Sequence, residues 1–200
     1  MIDRSVPYIG ILMIKDDTGN YPRYDLPDGY EFVMYENGFE KHWAELESSA
    51  GEFKNADKAM DHFKEEFMAE KELLRDRCIF IRSKAGRFAA TATVWPGRHF
   101  GSVKERIHWV CVHPDFQGRG LAKAILTKAL DIFNSISEDN MIYLTTQTNS
   151  YKAVNIYVQF GFRQFEGEKP AKWKCVENWE TDIDKAWKII NGKIEEYKKL

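Results

Sequence analysis

The sequence predicts a mixed α/β (α+β) fold, and three observations support this class. Short stretches of periodic hydrophobic residues alternate with Gly, Pro and Asn, as expected when short strands and helices follow one another. Residues 78–82 and 87–95 flank the turn Lys84-Ala85-Gly86 and have the pattern of an antiparallel hairpin. Residues 105–133 then have the pattern of a strand, a glycine-containing turn and a helix.

The N-terminal part is predicted to begin with two strands and a helix. Residues 6–14 form the first predicted strand, and the turn signal Leu26-Pro27-Asp28-Gly29 separates it from a second strand at residues 30–35. The next four residues, 37–40, have the spacing of a capping box, which predicts that a helix opens there. The inner face of this helix is predicted to carry Phe39, Trp43 and Leu46.

A second, longer helix is predicted over residues 55–74. Large apolar residues recur there at spacings of three, four and seven, which places them on one face. They are Met60, Phe63, Phe67 and Leu74. The Asp, Glu and Lys residues between them are predicted to form a solvated face.

The segment from residue 105 onward predicts an anion-binding loop. Residues 105–112 contain β-branched and aromatic residues without Gly or Pro, which predicts a strand, and Pro114 ends it. The following helix is indicated by apolar residues at spacings of four, four and three, namely Leu121, Ile125, Ala129 and Ile132. Between them, Gly118 and Gly120 permit unusual backbone angles beside a helix start with unpaired N–H groups. Such a loop is suited to an anion, although the sequence contains no G-x-x-x-x-G-K-[ST] string for a nucleoside triphosphate.

The C-terminal part predicts two further strands around a helix and then an extension. A strand is expected at residues 141–145, a helix at 150–159 and a strand at 162–165, with another strand at 172–176. An apolar stripe then recurs at four, three, four and three residues, which predicts an amphipathic helix. Its members are Ile183, Trp187, Ile190, Ile194 and Tyr197. This stripe either packs on its own domain or forms a dimer, so a monomer and a homodimer both stay open.

Composition indicates one globular domain over residues 1–200. The chain of 200 residues is 44% hydrophobic, which is enough for a sizeable core. A formal net charge of −2 disfavours nucleic acid as a partner. The sequence lacks an apolar run of membrane-spanning length and a recognisable signal peptide, and three cysteines do not suggest a disulfide framework. These features predict a cytoplasmic protein without a membrane partner.

Two motifs resemble those of one enzyme family. Gln117-Gly118-Arg119-Gly120-Leu121-Ala122 matches [QR]-x-x-G-x-[GA], the acetyl-CoA signature of the GCN5-related N-acetyltransferases (GNAT). Residues 150–162 resemble N-x-x-A-x-x-[LI]-Y-x-x-x-G-F, a second motif of the same family. The resemblance covers residues 30–165 and leaves 166–200 as a C-terminal extension. It implies the GNAT fold, a mixed and mostly antiparallel central sheet flanked by helices, here with an added N-terminal strand and a C-terminal amphipathic helix.

The resemblance implies acetyl-CoA as co-substrate and assigns residues to it. The residues that correspond to the family's cofactor-binding positions are Val110, Cys111, Val112, Gln117, Gly118, Arg119, Gly120, Leu121, Ala122, Asn149 and Ser150. Backbone groups of the first three would hold the pantetheine arm and polarise the thioester carbonyl, and the loop amides would hold the pyrophosphate. Asn149 or Ser150 would contact the pantetheine arm, although Ser150 is equally a candidate helix cap.

The same resemblance suggests an acid and leaves the base open. Tyr157 corresponds to the family tyrosine that protonates the departing thiolate; the alternative is a buried aromatic residue that only packs. Arg106 stands where many members carry a glutamate base. On a regular strand His108 shares a face with Arg106, Val110 and Val112. Its imidazole can accept the ammonium proton, directly or through water; the alternative is a strand histidine that only forms a hydrogen bond.

A metal site is not expected, since odd offsets along the strand place His108 opposite Cys111 and His113. The resemblance implies a small-molecule or peptide amine as acceptor, lying near the loops after Tyr35, at residues 48–53 and after Trp95. Glu52 and Trp95 are candidate contacts for a cationic amine there; the alternative is a surface glutamate and a core tryptophan. The favoured function is an acetyl-CoA-dependent N-acetyltransferase (EC 2.3.1.-) that works through a ternary complex. A catalytically weak or inactive acyl-CoA-binding regulatory module and a transferase of longer acyl groups are the alternatives.

Overall fold

The computed structural model describes residues 2–199. In this part of the chain the strands are β1 (Gly10–Lys15), β2 (Tyr30–Met34), β3 (Cys78–Ser83), β4 (Phe88–Phe100), β5 (Ser102–Val112), β6 (Ile142–Gln147) and β7 (Arg163–Gln164). The helices are α1 (Glu40–Ala50), α2 (Ala56–Phe67), α3 (Leu74–Arg77), α4 (Leu121–Ile136), α5 (Tyr151–Gln159) and α6 (Trp179–Lys198).

The strands form one sheet in the order β2-β3-β4-β5-β6-β1-β7. Four of its pairings are antiparallel with defined register: β2 with β3, β3 with β4, β1 with β6 and β1 with β7. The predicted hairpin at residues 78–95 is confirmed, and its second strand extends further, to Phe100. The mixed, mostly antiparallel sheet with flanking helices confirms the predicted fold class.

The described chain divides into two compact units. The first unit consists of residues 22–95 and 107–138, and the second of residues 2–21, 96–106 and 139–199. Strands β4 and β5 each contribute residues to both units.

The core of the first unit is largely aromatic. Helix α1 buries Trp43 and Leu46 on the predicted face, and α2 buries Phe63 and Phe67. The Trp43 ring meets the rings of Phe63 and Phe67 edge to face at centroid distances of 5.2 and 5.8 Å. Such contacts add about 0.5–1.5 kcal/mol each beyond the buried area. The packing of α1 on α2 therefore depends on the geometry of these ring contacts as well as on hydrophobic burial.

The helix predicted over residues 55–74 is interrupted. Its start is confirmed, since the Asn55 side chain caps α2 by accepting a hydrogen bond from the Lys58 amide at 3.0 Å. The α-helix ends at Phe67, and a 3₁₀ segment follows in which Glu70 has non-helical angles (φ −129°, ψ 34°). Leu74 is nevertheless fully buried, because α3 resumes the helical path there.

The second unit is built around β1, which lies between β6 and β7. Helix α6 packs on α5 and β1. Its stripe buries Ile183, Ile190 and Ile194, as predicted for packing on the same chain, while Tyr197 stays 42% exposed. The Asn178 side chain caps α6 through the Thr181 amide at 3.0 Å.

The strand predicted at residues 172–176 is wrong. This segment is a loop in which Lys172 has a positive φ of 60°. The amides of Val176 and Glu177 donate to the buried Asp182 carboxylate at 2.6 and 3.1 Å instead of to a neighbouring strand. A carboxylate at the start of α6 therefore takes the hydrogen bonds that a sheet partner would have taken.

None of the helices in the described residues combines the length and apolar character that a membrane crossing requires. Cys78 and Cys111 are buried free thiols, whereas Cys175 is only half-buried.

Candidate functional site

The glycine-containing turn connects β5 to α4 in the first unit. After Val112, a short 3₁₀ turn at Pro114–Phe116 leads to Gly118 and Gly120, whose φ angles are +76° and +79°. An added Cβ would meet no atom within 4 Å at Gly118 and only the Pro27 ring at 3.8 Å at Gly120. Glycine is therefore required at these two positions by the positive φ angles, and not because a side chain would clash with neighbouring atoms.

The start of α4 has amides without helical acceptors. Gly120 is the N-cap and has no side chain to satisfy them. Its carbonyl accepts from the Lys123 and Ala124 amides, both at 3.1 Å, so the helical bonds begin with those two residues. The amides of Gly120, Leu121 and Ala122 precede them, and α4 is 16 residues long, so its dipole adds partial positive charge at this end. This arrangement is suited to binding an anion such as a phosphate.

Two side chains of this loop brace it from within. The Gln117 side chain donates to the Val112 carbonyl at 3.1 Å, which ties the loop to the end of β5. The Arg119 guanidinium donates to the Tyr30 hydroxyl at 3.0 Å and to the Asp115 carbonyl at 2.9 Å, over the Phe116 ring. The loop is therefore held in place by its own side chains, and the backbone is the part that stays available to a ligand.

An open groove of about 590 Å³ lies beside the loop. Three cations, Lys84, Arg87 and Arg119, line it together with the Tyr30 and Phe116 rings. Arg87 also donates to the Asp115 carboxylate at 2.6 Å, and this hydrogen bond lowers the pKa of Asp115. The surface beside the loop is thus rich in positive charge, partly balanced by the carboxylates of Asp28, which lines the groove, and Asp115.

His108 lies in a hydrogen-bonded cluster in the first unit. Its Nε2 lies 2.7 Å from Glu66 Oε1, and its side chain is only 12% exposed. Glu66 Oε2 accepts from Trp109 Nε1 at 2.9 Å and lies 2.9 Å from His62 Nε2. One carboxylate on α2 therefore joins two imidazoles and an indole. We call these four side chains, His62, Glu66, His108 and Trp109, the Glu66 cluster.

An irregularity at Trp109 makes this cluster possible. Consecutive residues of a regular strand point to opposite faces, yet His108 and Trp109 both reach the Glu66 carboxylate. Trp109 has a φ of +51°, which is rare for a bulky residue and breaks the alternation as a β-bulge does. The predicted common face of Arg106, His108, Val110 and Val112 assumed a regular strand, so it does not describe β5 beyond His108.

Glu66 was missed because it was assigned to the solvated face of α2. Its side chain is 18% exposed and accepts hydrogen bonds from two elements. The sequence does contain a signal: His62 and Glu66 are four residues apart and therefore lie on one helical face. That pair alone does not reveal the contact with β5, which depends on the bulge at Trp109.

A second carboxyl group is buried near Cys111. Glu47 on α1 is 1% exposed, and its Oε1 has no hydrogen-bond partner within the described residues. Burial, together with the charge of Glu52, raises the pKa of Glu47 to about 8. Burial also raises the pKa of Cys111 well above its ordinary value, with Glu47 adding to this effect. Both groups are neutral at pH 7, and Cys111 therefore lacks the thiolate that a nucleophile needs.

The loop expected after Trp95 does not exist, since β4 continues to Phe100. Trp95 itself is 5% exposed and packs edge to face on Phe67 at 4.8 Å. It is a core residue. Val110 and Val112 are half-buried and Cys111 is buried at the end of β5.

The remaining predicted residues belong to the second unit. The Asn149 carbonyl accepts from the Asp3 amide at 2.8 Å, whereas its side-chain Oδ1 is buried and has no hydrogen-bond partner in the described structure. Ser150 occupies the N-cap position of α5 without capping it; its hydroxyl accepts from Gln147 Nε2 at 3.1 Å instead. Tyr157 is 8% exposed, and its ring lies 6.0 Å from Phe162.

Among residues 2–199, no three His, Cys, Asp or Glu side chains come together as a group that could hold a metal ion.

Comparison with known families gives a match over the central part of the chain. The model of a family described as the acetyltransferase (GNAT) family matches residues 39–162. A search of curated proteins found no match.

Several solved structures have a similar fold. A GCN5-related N-acetyltransferase from Sphaerobacter thermophilus is 16% identical over 79% of this chain and 49% of its own, with a TM-score of 0.61. A tandem GNAT protein from the clavulanic acid biosynthesis pathway is 14% identical over 82% of this chain and 52% of its own, with a TM-score of 0.57. A fungal glucosamine N-acetyltransferase region within a multi-domain β-N-acetylglucosaminidase is 12% identical over 82% of this chain and 20% of its own, with a TM-score of 0.57. The chain thus spans about half the length of the first two.

Proposed function

Because the chain belongs to the acetyltransferase (GNAT) family, we propose that it transfers an acetyl group from acetyl-CoA to a primary amine within a ternary complex. The observation that carries this proposal is the start of α4, where a glycine cap leaves the amides of Gly120, Leu121 and Ala122 without helical acceptors. Backbone amides suit a diphosphate because they are held by the fold and cannot rotate away.

Acetyl-CoA supplies an activated acetyl group as a thioester. In the proposal, the backbone of Val110, Cys111 and Val112 holds the pantetheine arm and polarises the thioester carbonyl. Asn149 and Ser150 contact the same arm. Asn149 Oδ1, which is buried and has no hydrogen-bond partner among residues 2–199, is an acceptor suited to an amide N–H. The side chains of Gln117 and Arg119 keep the loop in shape.

Proton transfers on both sides of the bond exchange complete the reaction. The substrate ammonium first loses a proton to a base, and the neutral amine nitrogen then bonds to the acetyl carbon while the carbon–sulfur bond breaks. The departing thiolate takes a proton from an acid, and the second proton, which the nitrogen releases as the amide forms, returns to that acid. We assign His108 as the base, which accepts its proton directly or through water, and Tyr157 as the acid. A phenol keeps its proton at neutral pH and can deliver it to a thiolate.

Replacing Gly120 with Ala tests the anion-binding loop. Alanine at a φ of +79° costs about 1–2 kcal/mol, and the loop relaxes away from the angles that aim its amides. We expect acetyl-CoA affinity to fall about 10- to 100-fold, measured by isothermal titration calorimetry. The matched control is Gly101→Ala, which imposes a similar strain at φ +77° in the β4–β5 turn, away from the groove, with nothing within 4 Å of the added Cβ. Equal losses of affinity in both variants would contradict the assignment.

Replacing Tyr157 with Phe tests the proposed acid. The ring and its packing on Phe162 remain, while the transferable proton is lost. We expect kcat to fall about 10- to 100-fold with the Kd for acetyl-CoA unchanged, measured by thiol release and calorimetry. Tyr151→Phe is the matched control, since it removes a hydroxyl from the same helix whose partner is Asp3. Normal turnover in Tyr157→Phe would remove Tyr157 from the mechanism.

The proposal as a whole is tested by acetyl-CoA-dependent thiol release with a panel of amines. The panel contains polyamines, aminoglycosides, amino acids and peptides, and glucosamine is added because a similar fold belongs to a glucosamine N-acetyltransferase region. Acetyl-CoA at a hundredfold excess over its Kd should add about 2.7 kcal/mol to the unfolding free energy. Cofactor binding without thiol release from any amine would favour the regulatory module. The absence of any thermal shift would contradict the proposal.

A further inference from the structure

We propose that Glu66 is a positioning residue that fixes the ring orientation and tautomer of His108 and strengthens it as a base. This inference rests on the proposed function, which assigns His108 as the proton acceptor. It identifies a residue on α2 that lies far from both sequence motifs.

The first argument is geometric. Glu66 Oε1 lies 2.7 Å from His108 Nε2, a donor–acceptor distance typical of a charge-assisted hydrogen bond. Glu66 is itself immobilised, since Oε2 accepts from Trp109 at 2.9 Å and meets His62 at 2.9 Å. The carboxylate is therefore held on both oxygens, and the His108 ring has one orientation that satisfies it.

The second argument concerns the proton on the His108 ring. A carboxylate can only accept hydrogen bonds, so His108 Nε2 must carry the hydrogen that it shares with Glu66. In the neutral ring the lone pair is then on Nδ1, and this atom is the one able to take a proton from an amine. A negative charge against Nε2 also stabilises the imidazolium that forms, which makes Nδ1 a stronger base.

The third argument concerns the titratable groups on the elements around the pair. From α2, the titratable neighbour of the pair is His62, which is 36% exposed and shares the same carboxylate. From α1 and the loop after it, Glu47 and Glu52 act on each other and on Cys111 further along β5. From β4, the contact in this region is the neutral Trp95 ring on Phe67. The Glu66 carboxylate lies within hydrogen-bond distance of the His108 ring, at 2.7 Å.

The decisive variant is Glu66→Gln, which removes the charge and keeps the shape. We expect the acid limb of the pH profile of kcat/KM to move about one pH unit lower, because the imidazolium loses its partner. We expect the plateau of kcat to fall about tenfold, with the KM for acetyl-CoA unchanged. The matched control is Glu65→Gln, which removes the same charge from the exposed face of the same turn of α2 and should leave both quantities unchanged.

A second readout does not depend on catalysis. The chain has five histidines, so the ring nitrogens of His108 can be assigned by ¹⁵N NMR with single His→Gln variants. The unmodified protein should show the Nε2–H tautomer at His108, and its titration midpoint should fall by about one pH unit in Glu66→Gln.

The outcomes separate the two proposals. If no amine supports thiol release, the proposed function fails while the NMR measurements still test Glu66. If His108 carries its hydrogen on Nδ1 in the unmodified protein, the inference is overturned, and this result requires no variant to fold. If Glu66→Gln lowers the melting temperature but moves neither the titration midpoint nor the acid limb, Glu66 only packs α2 on β5, and the inference is overturned as well.

Discussion

Replacing His108 with Gln is expected to lower kcat/KM for the amine about 100- to 10,000-fold and to remove the acid limb of its pH profile. A positioned general base contributes an acceleration of this size, and glutamine can bond to Glu66 but cannot accept the proton. The affinity for acetyl-CoA should stay within about twofold, because the glycine loop is untouched. Steady-state kinetics from pH 5 to 9 and calorimetry measure the two quantities.

The control for this variant is His42→Gln. His42 belongs to the same unit, stacks on Phe88 at 4.0 Å and takes no part in the Glu66 cluster. It should keep normal turnover. A His108→Gln protein that retains the acid limb would show that another group or solvent takes the proton, and the assigned base would have to be abandoned.

The second large effect concerns stability. Glu47 is 1% exposed, and burial with the Glu52 charge raises its pKa from 4.5 to about 8 in the folded state. Between these values the folded protein binds a proton that the unfolded chain has released, so the unfolding free energy falls as pH rises from about 4.5 to about 8. The shift corresponds to at most about 5 kcal/mol, as an order of magnitude.

Glu47→Gln should remove this component of the pH dependence. The variant is expected to be close to the unmodified protein at pH 5 and more stable by several kcal/mol near pH 8.5, because a neutral amide never has to ionise inside the core. Urea unfolding at a series of pH values measures the difference. Glu45→Gln, an exposed position on the same helix, serves as the control. If the unfolding free energies of the unmodified protein and of Glu47→Gln change with pH in parallel, the raised pKa of Glu47 is contradicted.

Most elements could be predicted because their signals are local. The start of α2 at Asn55, the apolar spacing of α2 and the turn between β3 and β4 each depend on residues that are close together in the sequence. The break after Phe67 was not predicted, since the apolar spacing continues to Leu74 through a 3₁₀ segment. The prediction of a strand at residues 172–176 was wrong for a related reason: the amide of Val176 bonds to Asp182, which lies in the following helix.

The site was predicted unevenly. Gly118 and Gly120 could be predicted because backbone positions with a positive φ strongly favour glycine, which is visible in the sequence. The Ser150 hydroxyl was a candidate cap, but Gln147 donates to it and the predicted capping bond is not formed. The contacts of Glu66 with β5 could not be found from sequence, because they depend on one residue that departs from strand geometry. The roles of His108 and Tyr157 remain predictions.

The positive φ at Trp109 also determines which changes in length β5 can tolerate. Side chains on a strand alternate between two faces, so one inserted residue moves every later side chain to the opposite face of the sheet. Cys111 lies beside Glu47 in the same core cluster that Trp109 packs against, as the offset at Trp109 requires. Homologous chains that lack this irregularity would need one residue fewer between His108 and the glycine loop, and an alignment without a gap there would pair residues from opposite faces.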